Sequence, residues 1–72
     1  MPITEETLAN WFTYHKPEAD EPAKYERIRF AAKQLCIVIV ENTPSSADQT
    51  AAIRKVREAV MTANASIACK GQ

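Results

Sequence analysis

A chain of 72 residues is one domain at most, with a small core and a thin margin of stability. Nine basic and nine acidic residues leave no net charge, which argues against a general binder of DNA or RNA, whose affinity rests on many phosphate contacts. Two cysteines, with no CxxC pair and no His/Cys cluster, offer neither a disulfide framework nor a zinc site, and one glycine among many alanines favours helices over turn-rich β structure.

The first helix is expected over about residues 4–14. Thr4 is a good N-cap, and Glu5 and Glu6 lie where the helix dipole favours negative charge. Leu8, Trp11 and Phe12 form an apolar stripe, with Phe12 read as core. Pro17 biases Lys16 away from helical geometry and closes the element near Tyr14. Residues 15–22, HKPEADEP, read as a polar connector in which Glu18, Asp20 and Glu21 are a solvated charge run; Pro22 suits the first turn of the next helix.

The second helix is expected over about 23–42, with Tyr25, Ile28, Ala32, Leu35 and Ile39 on one face. LCIVIV at 35–40 has strand propensity, but the helical period enters it unbroken and no partner strand exists elsewhere. NTPSS at 42–46 is a tight turn, and Ser46-x-x-Gln49 reads as a capping box. The third helix is expected over about 47–69, its seam formed by Ile53, Val56, Val60, Ala63 and Ile67 and its flanks thinned by Ala51, Ala52 and Ala59. The fold class is therefore all-α: a short N-terminal helix plus a long antiparallel helical hairpin, one domain over 1–72. Trp11, Phe12, Phe30, Leu35 and the 37–40 run point in too many directions for a lone hairpin to bury. Each side chain left wet forfeits roughly 1.5–3 kcal/mol, so a compact homo-oligomer is expected.

MPITEETLAN lacks the apolar stretch of a signal peptide, and LCIVIV is too short to span a bilayer, so the chain is read as soluble and cytosolic, with reduced thiols as small apolar helix residues. His15, the single histidine, has no helically spaced carboxylate pair near it, and no catalytic residue, metal ligand or cofactor is expected. Arg29 and Lys33 share a helical face, as do Tyr25 and Arg29. Alone they are a solvated basic edge. With Tyr14 and His15 folded over them from the end of the first helix, they suit a nucleotide: a ring stacks on a base while the guanidinium grips a phosphate. For Tyr14, core and ligand roles stay equally open. Asn64, a poor helix former, and Ser66 and Lys70 close the third helix, as fraying polar residues or as hydrogen-bonding groups.

Taken in order, FTYHKP, YERIRFAAKQLC and ENTPSSADQTAAIRKVREAVMTANASIA resemble the phage-encoded anti-CBASS cyclic-oligonucleotide sponges, which share a helical hairpin domain with some Thoeris anti-defence proteins. The resemblance covers about residues 12–68. It implies a homo-oligomer, typically a hexamer, working in the cytoplasm of an infected bacterium. Such proteins hold cyclic dinucleotides, for example 3′,3′-cyclic GMP-AMP, between subunits and do not cleave them; many take cyclic trinucleotides in separate pockets on the threefold axis. Carried over, Tyr14 matches the tyrosine that stacks on the dinucleotide base and Arg29 the basic residue against its phosphate, with His15 and Lys33 added on chemistry. For the trinucleotide pocket the resemblance points to Asn64, Ser66 and Lys70, but Cys69 stands where the family often has arginine, and a lysine one position later cannot form the same two-pronged contact. Neither polymeric nucleic acid nor a membrane is an expected partner. The alternatives are an adaptor hairpin that binds a host or phage protein and, against the lack of acid/base pairs, an unfamiliar phosphodiesterase.

Overall fold

Side-chain hydrogen bonds set several of the helix limits in the computed structural model of the protein, which describes residues 3–71; the outer ends of the expected domain, Met1, Pro2 and Gln72, fall outside them. Thr4 opens α1 (Glu5–Trp11) with its hydroxyl accepting from the Thr7 amide at 3.1 Å. The helix stops three residues before Tyr14, earlier than expected. The Thr13 hydroxyl takes the Ala9 carbonyl at 2.5 Å and His15 Nε2 donates to the Asn10 carbonyl at 2.6 Å, so side chains replace the backbone donors that would have continued the helix. α2 (Glu21–Asn42) begins two residues earlier than expected, with Pro22 in its first turn, where a missing N–H does no harm. The 35–40 run is helical throughout.

The turn into α3 (Ala47–Ala68) is stitched by polar side chains. Asn42 Nδ2 and Thr43 Oγ1 donate to the last-turn carbonyls of Val38 and Ile39, at 2.8 and 2.7 Å. Ser46 Oγ accepts from the Gln49 amide at 3.1 Å. The expected capping box is only half made, because the Gln49 amide group donates instead to Thr43 O and Oγ1, at 3.2 and 3.1 Å, tying the start of α3 to the end of α2. Ser46→Ala is expected to lower stability by about 1 kcal/mol, and Ser46→Asn to keep it, in chemical unfolding. Equal losses in both variants would contradict the cap.

α2 and α3 pack against each other as the antiparallel hairpin. The seam on α3 is as expected, with Ile53, Val56, Val60, Ala63 and Ile67 all half-buried. On α2 the half-buried set is Tyr25, Ile28, Ala32, Cys36 and Ile39, with Cys36 in place of Leu35. Positions three and four beyond Ala32 both point near the seam, and the smaller thiol fits against an alanine-rich partner while Leu35 stands 50 % exposed on the flank.

Little of the chain is interior. Among the described residues only Glu21 and Cys69 are buried, and Phe12, expected in the core, is 84 % exposed. The molecule measures 44 × 30 × 17 Å with a radius of gyration of 15.3 Å, against about 11 Å for a compact domain of this length. It exposes 5979 Å², where a folded monomer of its mass exposes about 4,500 Å².

Candidate functional site

One flank of the hairpin brings two basic residues of α2, Arg29 and Lys33, alongside one of α3, Arg57. Arg29 and Lys33 lie four residues apart on α2 and Cys36 three further on, so all three share a flank, and Arg57 and Met61 are an i, i+4 pair on α3. With the helices antiparallel, these flanks border a trough of about 330 Å³, floored by Ala32, Cys36, Val56 and Val60 and rimmed by Arg29, Lys33, Arg57 and Met61. It continues towards the turn as an apolar depression beside Ile37, Val40 and Ile53. Arg29 Nη2 meets Glu26 Oε1 at 3.0 Å, but both side chains are well exposed, and a pair of this kind contributes about 0–1 kcal/mol and yields readily to a phosphate. Among the described residues the Lys33 and Arg57 side chains make no ion pair or hydrogen bond.

A second assembly joins the chain's two ends. Asn10 Nδ2 donates to the Cys69 carbonyl at 3.3 Å, and Cys69 Sγ–H points back at the Asn10 carbonyl, 3.8 Å away. Trp11 lies beside Thr62, Ala65 and Ser66, which seats α1 on the outer side of α3 near its C-terminus. Lys70 Nζ reaches Glu18 Oε1 and Glu21 Oε2, both at 2.9 Å, while Glu21 Oε1 accepts from the Glu18 amide at 2.9 Å. The connector acids are thus not a free charge run: Glu18 and Glu21 hold Lys70, and Asp20 pairs with Lys24 at 3.0 Å.

The chain matches the family described as Acb2/Tad1, hairpin domain, over residues 4–68. It belongs to this anti-CBASS sponge family. No curated protein and no solved structure matches the chain.

Among the site residues read from sequence, this Acb2/Tad1 hairpin brings together only Arg29 and Lys33. Tyr14 is 82 % exposed, so its core role is excluded, and it does not line the trough. The end of α1 therefore does not fold over the Tyr25–Arg29 region as expected; its bonds run to Cys69 instead. His15 is half-buried, with Nε2 committed to ending α1. Asn64, Ser66 and Lys70 do not converge. Asn64 Oδ1 is buried with no hydrogen-bond partner among the described residues, Ser66 stands two positions on and faces the Trp11 side, and Lys70 is held by carboxylates. Arg57 was missed, although its place one turn from both the seam residue Ile53 and Met61 marks it as a flank cation. Among the described residues no group of acids, histidine and cysteines is placed to hold a metal, and no helix is long and apolar enough to cross a membrane.

The Acb2/Tad1 hairpin carries a pH response in its end-joining cluster. The Glu18 amide and then the Lys70 ammonium hold the Glu21 carboxyl below its ordinary value of 4.5. A carboxyl lowered by folding stabilises fully above its unfolded value, and that contribution disappears as pH falls through the folded one. Lys70 is raised, first by Glu21 and then by Glu18, so its share is complete below 10.5 and fades only in strong alkali. Acid should therefore loosen the connector at a midpoint below pH 4.5, followed by Trp11 fluorescence. A midpoint at or above 4.5 would mean that the pairing does not form.

Proposed function

We propose that the protein sequesters cyclic dinucleotide messengers such as 3′,3′-cyclic GMP-AMP, without cleaving them, in the cytoplasm of an infected bacterium, and so keeps CBASS immunity silent. Family membership supports an anti-defence role of this kind. The observation that carries the reading to this site is the trough, where two cations with no partner among the described residues and one weakly paired arginine stand above an apolar floor. Phosphates take the cations and a base covers the floor.

At about 330 Å³ the trough is near the lower limit of small-ligand sites, about 300–1,000 Å³, and it is open to water. The site is completed by a second copy of the chain. A twofold axis across the trough doubles every group, so two phosphates meet two sets of Arg29, Lys33 and Arg57. Tyr14, remote from its own trough, stacks on the base held by a facing copy. The apolar surface left exposed on α2 closes the assembly, for which we propose six subunits. Cyclic trinucleotides are weaker guests on this reading, because Cys69 replaces the arginine that the family often has and Lys70 is occupied.

Calorimetry of the purified protein against a panel of cyclic dinucleotides and trinucleotides tests the proposal, with the ligand recovered by heating and analysed by chromatography. The expected result is tight binding of at least one dinucleotide and its return intact. No heat with any member sinks the proposal, and a linear product would replace storage with hydrolysis. No ligand response together with a co-purifying protein would favour the adaptor reading.

A further inference from the structure

The C-terminus of α3 ends in a Schellman arrangement, the Gly71 amide donating to Ser66 O at 2.9 Å and the Lys70 amide to Ile67 O at 3.2 Å. Such an ending places one residue in the left-handed region, where glycine is strongly preferred. Here that residue is Lys70, at φ +57°, and the glycine that follows it, Gly71, is also at positive φ, +77°. A lysine is unfavourable there unless its side chain is needed. That side chain reaches across 49 residues of sequence to the buried Glu21 carboxylate and also holds Glu18.

We infer that Lys70 is a positioning residue for the ligand site, a latch that fixes the connector so that Tyr14 is presented in one orientation. This rests on the role proposed above for Tyr14. The connector backbone is pinned on both sides of that ring: Thr13 and His15 tie it to the end of α1, Asn10 ties α1 to Cys69, and Lys70 holds Glu18 and Glu21. An exposed aromatic on a fixed backbone binds with less ordering to do. Without the ammonium, the Glu21 carboxylate would be buried with no counter-charge, so it would turn out to water and release the Glu18 amide it holds.

Three variants of the full chain test this. Lys70→Gly removes the cation and relieves the backbone, Lys70→Gln removes the cation alone, and Lys70→Arg keeps it. Amide exchange at Glu18, read by NMR without ligand, should quicken about tenfold in the Gly and Gln variants and stay near wild type with Arg. Affinity for 3′,3′-cyclic GMP-AMP should fall about tenfold in the same two, while Lys70→Gly keeps or raises the thermal midpoint. Unchanged exchange in Lys70→Gly overturns the latch. Faster exchange with undiminished affinity overturns the positioning role and leaves the sponge reading intact. A wild type that binds no dinucleotide removes the sponge reading, and exchange then still decides whether the latch exists.

Discussion

Replacing Arg29 by alanine is expected to weaken dinucleotide binding by about a hundredfold, and Arg57→Ala by at least tenfold. A hydrogen bond to a charged group contributes roughly 1.5–3 kcal/mol, and each 1.4 kcal/mol is a factor of ten. In a twofold pocket every substitution acts twice, so even the lower figure doubled reaches about two decades. Arg29 has one weak competitor, Glu26, and so is free to engage. Arg29→Lys should recover part of the loss, since the charge remains and the fork does not. Both arginines are exposed or on a rim, so the variants should fold as wild type does. Calorimetry with 3′,3′-cyclic GMP-AMP, beside circular dichroism, reads both effects. Wild-type affinity in Arg57→Ala would place the ligand elsewhere than the trough.

The second large effect is on assembly. Val38 is 54 % exposed on α2, on the flank it shares with Ala31 and away from the trough. In an isolated chain, Val38→Asp would put a charge into water at little cost. In an assembly it removes a side chain whose burial contributes roughly 1.5–3 kcal/mol and strands a carboxylate in an apolar contact. Sedimentation should show the wild type as a discrete oligomer and Val38→Asp as smaller species with a lower thermal midpoint. A variant that sediments like wild type would leave Val38 outside any contact, and a wild type that sediments as a stable single chain would remove the assembly altogether.

The long helices were legible because twenty or so residues of unbroken helical period outweigh local strand propensity, as in the 35–40 run. The seam of α3 was legible for the same reason, while Leu35 was confused with Cys36 because positions three and four beyond Ala32 differ little in direction. The placement of α1 was not legible. It depends on bonds between Asn10 and Cys69, 59 residues apart, and on His15 and Thr13 capturing carbonyls that a period-based reading leaves to the backbone. Two of the three cations of the basic cluster could be seen, since Arg29 and Lys33 share a helix; Arg57 needed the pairing of two helices to bring it alongside. Lys70 was read as a fraying polar residue or a ligand group because its partners, Glu18 and Glu21, lie about 50 residues away in sequence, although the hairpin brings them to the same end. The order Lys-Gly, with glycine one place late for a helix ending, was the available clue.

A slab 17 Å thick keeps no stretch of its backbone far from solvent. Newly made single chains would therefore be open to proteases along most of their length, and mutual coverage would be their shelter. On the assembly proposed here, the number of surviving copies would climb steeply once synthesis outran degradation, giving the protein a threshold of abundance below which it hardly persists.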